Sequence, residues 1–437
     1  MNYLAITARL LTRSFTPFAV PFWGDEEQRL IRDWIKGANF PDAAMNLENA
    51  IAAQLGKGWC VRSLSSGRAA IQLALESMKL SPDNEVLLPS FSCASLAMAV
   101  IMADLQPVLV DMDEHFNIRF ESVLEADSPH VKVIILPHLS GCWARDTEKI
   151  LEWARSRDVF VVEDCAQAFG LKRGGKPIGT LGDVGVFSSG PGKPIFGPGG
   201  GWVISRHPGL VSLLASRDIL SESGVETSKR IRLFMRNFPA SKQRRGNRML
   251  AEGIASRLFK RHSSTNAQSK NFDAYRFPMY VMSDIEAQLA LLQIRKIETI
   301  VLKRLEFAAR WRERLNHLHL ASIKLLPELD NIFSKMLLSF VGETGQNESR
   351  ALRAALWAYG VEVEPSYIPL HLRPPFDRLR QTSMPMTEQQ WRGAFAVPAR
   401  PNLDLSDWKR IDKALLSNVR YPDSAKRRDE HQSGCCS

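Results

Sequence analysis

The chain has 437 residues, 45% hydrophobic and 24% charged, ordinary for a globular protein and long enough for two packed cores. Its net charge is +10, but between Arg217 and Arg276 there are 14 Lys/Arg against 5 Asp/Glu, so the basicity belongs to one segment and not to the fold. Cysteines at 60, 93, 142, 165, 435 and 436 show no metal-ligand spacing, and they are too sparse for a disulfide framework, which predicts no metal site and a reducing cytoplasm.

The first 22 residues carry Arg9, Arg13 and two prolines without a long apolar core, which argues against a signal peptide. Residues 25–37 predict an amphipathic helix, with Leu30, Ile31, Trp34 and Ile35 at helical spacing. A second helix is expected to start at Ser66, ahead of Ile71, Leu75 and Met78. Strand-like runs follow at 85–88, 107–111, 131–137, 159–163 and 184–187, with helical patterns between most of them, including 147–157. The apolar stretch 86–110 is interrupted by Pro89, Asp104, Gln106 and Pro107, so it reads as strand, turn, helix and strand rather than a membrane span. Alternating strands and helices predict an α/β fold with a mostly parallel sheet, whose ligands bind beyond the carboxyl ends of the strands.

After the basic segment, 283–315 reads as one long helix. Residues 335–341 and 360–364 read as strands around a helix at 348–359, which predicts a smaller α+β unit. The expected division is a large domain over 1–275, which includes the basic insertion at about 217–276. A connecting helix follows over 276–320, then a small domain over 321–421. The tail 422–437 is expected to be disordered. In the insertion, Met249, Leu250, Ile254 and Leu258 share a helical face beside Arg245, Arg248, Arg257, Lys260 and Arg261. That face suits an anionic membrane surface, a nucleotide diphosphate, or simple packing of an apolar stripe on the protein. No nucleic-acid motif accompanies the charge.

Asp164 ends the apolar run at 159–163, and Lys193 lies in the loop Ser188-Ser189-Gly190-Pro191-Gly192-Lys193-Pro194. A carboxylate at a strand end and a lysine on a stiff loop match the needs of pyridoxal phosphate, which takes an anion at its ring nitrogen and an amine at its aldehyde. Gln167 can reach the ring's phenolic oxygen or face solvent. Ser188 can offer its hydroxyl to the phosphate. Ser66-Gly67-Arg68 opens a helix, where backbone N–H groups and the helix dipole attract anions, although such a pair is also an ordinary helix cap. A lone loop lysine is usually solvated, so the order of the pieces carries more than any one of them.

That order is Ser-Gly at a helix start, Pro89-Ser90-Phe91-Ser92, Glu163-Asp164-Cys165-Ala166-Gln167-Ala168, Gly182-Asp183, Phe187-Ser188 and Lys193. It resembles the DegT/DnrJ/StrS-type pyridoxal-phosphate-dependent sugar aminotransferases. The likeness runs from about Phe22 to about Leu416, excepting the basic segment. Pro137-His138-Leu139-Ser140-Gly141 and Pro369-Leu370-His371 are further landmarks. The resemblance implies an aspartate-aminotransferase-like fold (fold type I), usually a homodimer with shared sites. It implies that Lys193 forms the Schiff base and moves the proton, Asp164 pairs with the ring nitrogen, and Gln167 meets the ring oxygen. Ser66, Ser188 and the Gly67-Arg68 backbone would hold the phosphate. The implied reaction passes an amino group from glutamate to a nucleotide-linked keto sugar for polysaccharide or related glycan synthesis. Relatives usually have threonine in place of Arg68 and a cofactor-stacking aromatic in place of Cys93. They also have asparagine and arginine where Met279 and Val281 stand. Arg68 is a candidate replacement charge. Two other readings use the same scaffold: a binding or regulatory protein with weak catalysis, and a sugar dehydratase; in the latter, relatives replace the lysine with histidine.

Overall fold

The computed structural model of the chain describes residues 15–238, 271–318 and 322–419. The expected basic face around 245–261 and the tail 422–437 lie outside the described residues.

The strands are β1 (Cys60–Leu64), β2 (Glu85–Pro89), β3 (Gln106–Val110), β4 (Val131–Pro137), β5 (Phe160–Asp164), β6 (Lys172–Arg173), β7 (Lys176–Pro177), β8 (Val184–Ser188), β9 (Gly201–Ser205), β10 (Ile323–Leu325), β11 (Met336–Phe340), β12 (Glu364–Pro365), β13 (Arg380–Gln381) and β14 (Phe395–Val397). The large sheet has the order β1-β9-β8-β5-β4-β2-β3-β13. It is parallel from β8 to β13 and antiparallel at β9 and β1. Val86, Leu88, Val133, Ile135 and Val162 enter one core, and Leu87, Val108, Ile134, Leu136 and Val161 another. Burial on both faces is what a parallel sheet between helical layers requires. The first layer includes α3 (Gly67–Ser77) and α4 (Ala94–Met102), after α1 (Asp25–Ile35) and α2 (Ala43–Leu55) in the chain. The second includes α5 (Phe120–Ala126) and α6 (Thr147–Arg157).

Strands β1 and β9 had no clear pattern in the sequence. Arg62 and Ser63 interrupt the apolar run of β1, and the buried Ser63 is tolerated because its N–H and hydroxyl both donate to Glu48 at 2.7 Å.

Downstream come α7 (Pro208–Ser216), α8 (Gly224–Asn237), α9 (Asp284–Ile294) and α10 (Ile297–Asn316). The helix expected over 283–315 is therefore two helices, bent at Arg295 and Lys296. Tertiary anchors explain the bend. The Gln293 side chain clasps the Phe196 backbone, accepting its N–H at 3.0 Å and donating to its carbonyl at 2.9 Å. Lys296 pairs with buried Glu27 of α1.

The small sheet, β10-β11-β14-β12, packs with α10, α11 (Gly345–Ala358) and α13 (Leu405–Val419). Of the strand expected at 360–364 only Glu364 joins it, together with Pro365. Two stretches cross the expected boundaries. The described N-terminal residues lie against the small sheet's side, with Thr16 bridging to Val361 and donating to Asp407 at 2.9 Å. Conversely, β13 pairs with β3, and Leu370, Phe376 and Met384 enter the core of the large sheet, next to α12 (Pro385–Gln390). Among the described residues, no helix is long and apolar enough to cross a membrane.

Candidate active site

Asp164 is the last residue of β5, in register with Pro137 of β4 and Val186 of β8, so it lies at the carboxyl edge of the parallel sheet. Its side chain is 9% exposed, and Oδ1 accepts the Ala166 N–H at 3.0 Å. Burial pushes this carboxyl up; Lys193, the Ala166 N–H and His138 pull against it. Lys193 lies on the loop that leaves β8, the strand paired with β5 beside Asp164.

The loop carrying Lys193 is closed at its base. Ser189 N–H donates to Gly200 O at 3.0 Å, Gly197 N–H to Ser189 O at 2.8 Å, and the Gln293 clasp holds Phe196. Lys193 N–H closes a turn onto Gly190 O at 3.2 Å, and Gly192 takes φ +79°, a left-handed conformation that glycine adopts without strain. Lys193 keeps some exposure along its length, while its amine is desolvated. Burial and the Lys335 ammonium lower its proton affinity, and Asp164, Cys93 and Glu364 oppose them. Among the described residues Lys193 makes no ion pair. The solvated-lysine alternative does not describe this residue.

Ser66 caps α3, its Oγ accepting Ala69 N–H at 3.3 Å. Gly67 then passes so close to the end of β8 that a Cβ there would stand 2.9 Å from Ser188 Cβ and 3.4 Å from Ser188 Oγ. Ser188 Oγ accepts Gly190 N–H at 3.3 Å and donates to Gly200 O at 3.4 Å, both long bonds. The Arg68 guanidinium lies over the Phe277 ring, 4.9 Å from its centroid, and Ser65 holds the neighbouring Tyr280 backbone through bonds of 2.8 and 3.2 Å. Exposed Cys93 precedes α4 and donates to Ser95 Oγ at 3.3 Å. Its charge interactions reach Lys193, Lys335, Tyr367 and Arg68.

Gln167 is buried, which removes the solvent-facing alternative. Its Oε1 accepts Ser140 N–H at 3.0 Å, and Nε2 donates to Tyr367 Oη at 3.3 Å. Beneath the site, Glu163 accepts the N–H groups of Gly179, Leu181 and Gly182 at 3.1, 2.7 and 2.7 Å. His138 Nδ1 accepts Ala144 N–H at 3.1 Å, so its ring proton sits on Nε2, 3.3 Å from Glu163 Oε2. Cys165 is close to both. Donation from three amides and an imidazole occupies the Glu163 oxygens without a metal.

Tyr367, Lys335, Glu364 and His138 were missed as site residues. His138 and the stretch after Tyr367 carried a motif but no assigned chemistry. Lys335 and Glu364 had no local signal, since only the packing of the small sheet brings them here.

A buried carboxylate at the end of β5 and a lysine on the loop after β8 suit the needs of pyridoxal phosphate at the carboxyl edge of a parallel sheet. The chain belongs to the DegT/DnrJ/EryC1/StrS aminotransferase family, whose model matches residues 25–416. It is 36% identical over 183 residues to Protein MosB of Rhizobium meliloti, across 42% of this chain and 35% of that one, so the match spans about a third of that relative. It is 25% identical over 345 residues to GDP-perosamine synthase of Escherichia coli O157:H7, covering 78% of this chain and 80% of the relative. Its fold is similar to that of Helicobacter pylori PseC, an aminotransferase involved in the biosynthesis of pseudoaminic acid, with a TM-score of 0.72 and 15% identity over 93% of this chain and 99% of that one. The chain is thus an aminotransferase that works with pyridoxal 5′-phosphate.

The residues present fit that cofactor. The missing side chain at Gly67 lets the start of α3 lie against the end of β8, so the first N–H groups of the helix and the Ser188 hydroxyl are neighbours, a setting for a phosphate. Asp164 and the loop of Lys193 belong to paired strands, β5 and β8.

Proposed function

We propose that this chain transfers an amino group from glutamate to a keto sugar carried on a nucleotide diphosphate, in cytoplasmic synthesis of a polysaccharide or related glycan. The observation that carries the reading is the placement of buried Asp164 at the end of β5 beside β8, whose following loop is closed at Ser189–Gly200 and carries Lys193. The nucleotide sugar is supported by the likeness to a GDP-perosamine synthase.

When bound, pyridoxal phosphate supplies an electron sink for the carbon that gains or loses the amino group. Lys193 Nζ would be the amine offered to its aldehyde and the base that moves the substrate proton. Asp164 would hold the ring nitrogen protonated through a charge-assisted hydrogen bond. Gln167, locked between Ser140 and Tyr367, has a second amide hydrogen to offer the ring oxygen. Ser188, Ser66 and the Gly67-Arg68 backbone would receive the phosphate, and Arg68 would add positive charge. Retention of lysine at 193 favours transamination over dehydration.

The test is an absorbance spectrum of purified protein before and after glutamate. Wild type is expected to show the band of lysine-bound cofactor near neutral pH and to lose it on adding glutamate, and Lys193→Ala to lack the band from the start. A spectrum indifferent to glutamate would remove the proposed donor; an unchanged band in Lys193→Ala would remove the lysine.

A further inference from the structure

Helix α8 has two opposite faces. At about 100° per residue, Thr227, Ile231 and Phe234 fall on one side, and all three are buried. That side is fixed to the protein. Arg230 grips Glu286 through two bonds of 2.8 Å, and the Phe234 ring lies 5.4 Å from that of Trp23 and 6.0 Å from that of Phe196. Val225, Lys229, Arg232, Leu233 and Arg236 fall on the other side, within an arc of about 100° and along about 16 Å of helix, and all five are exposed. Val225 is 65% exposed and Leu233 49%, and Leu220, four residues before the helix, is 73% exposed. Arg232 and Arg236 make no ion pair among the described residues, and Lys229 has only Glu226, at 2.6 Å and itself exposed. Glu226 is the single acid of the helix.

The solvent side of α8 therefore interleaves unpaired cations with aliphatic side chains. A free guanidinium attracts phosphate, and an aliphatic group left in water gains by leaving it. A layer of anionic headgroups over an acyl boundary meets both demands at once. Nucleic acid would supply the phosphates but is gripped through stacking aromatics, and the one aromatic of this helix, Phe234, is on the buried side. We propose that the outer face of α8 docks the protein on an anionic lipid surface, with Lys229, Arg232 and Arg236 against the headgroup phosphates and Val225 and Leu233 entering the boundary beneath them.

The experiment sediments full-length protein with vesicles of phosphatidylcholine alone, and with vesicles of phosphatidylcholine mixed with phosphatidylglycerol, at low and high salt. Wild type is expected to bind the mixed vesicles only and to be released by high salt. Each cation near such a surface is worth about five-fold in affinity, so Arg232→Gln/Arg236→Gln is expected to bind about 25-fold more weakly. Glu226→Gln is expected to bind about five-fold more tightly, because it removes the acid that faces Lys229. Leu233→Gln is expected to lose about ten-fold, which attraction between charges alone would not give. All four substituted positions are exposed, and a folding defect does not tighten binding in one variant while weakening it in another. No sedimentation with mixed vesicles, or a double variant that binds like wild type, would overturn the proposal. So would a Leu233→Gln protein of unchanged affinity. Displacement of the vesicles by an RNA oligonucleotide would assign the face to nucleic acid instead.

Discussion

Gly67→Ala tests the cradle at the start of α3. The added Cβ would lie 2.9 Å from Ser188 Cβ and 3.1 Å from Phe187 O, inside the roughly 3.5–4.0 Å optimum for carbon contacts. Neither neighbour yields easily. Phe187 O belongs to the sheet backbone, and Ser188 Cβ cannot rotate away. Overpacking of this kind costs about 1–3 kcal/mol, while alanine in a helix gains up to about 1 kcal/mol over glycine. The net loss of apoprotein stability is therefore expected to be about 0–3 kcal/mol, read by urea unfolding. Cofactor affinity is expected to fall more, about 10- to 100-fold by spectrophotometric titration, because the clash pushes the first N–H groups of α3 away from the Ser188 hydroxyl, with which they are proposed to hold the phosphate. Adding Ser188→Gly removes the atom that clashes. It should recover stability but not affinity, since the hydroxyl goes with it. A Gly67→Ala protein that binds pyridoxal phosphate as tightly as wild type would refute the reasoning.

Asp113 sets a pH dependence of stability. Burial raises its carboxyl from the ordinary 3.8 to about 7, against the His115 and Asn117 N–H groups that bond Oδ1 at 2.8 and 3.0 Å, and buried Oδ2 has no partner. Between those two values the folded state binds more proton than the unfolded state, so this contribution to stability is present below about pH 4 and is lost as pH rises to about 7, by at most about 4 kcal/mol. Asp113→Asn keeps an acceptor for both N–H groups, and its unfolding free energy should exceed that of wild type at pH 8 and lose this slope; a parallel pair of pH curves would contradict the account. Arg230 grips the buried Glu286 through Nε and Nη2, both at 2.8 Å, and so docks α8 onto α9. Arg230→Met strands that carboxylate and is expected to cost about 3–5 kcal/mol in urea unfolding, with Arg230→Met/Glu286→Leu recovering most of it.

The sequence alone settled the parts of this protein that depend on near neighbours. Apolar runs separated by helical periods specified β2, β3, β4, β5 and β8, because a doubly buried strand must be apolar on both faces. The strand-end acid and the glycine-stiffened lysine loop were legible for a related reason, since the local backbone sets their conformation. The edge strand β1 was not, because a polar residue such as Ser63 is acceptable there only with Glu48 beside it. The break between α9 and α10 likewise depends on Phe196 and Glu27, distant in the chain. Tertiary structure alone decided what holds Gln167. Tyr367 lies 200 positions later, and its hydroxyl accepts Gln167 Nε2 at 3.3 Å, a contact no local period signals. A hydrogen bond depends on distance through space, and only the packed tertiary structure made that distance short.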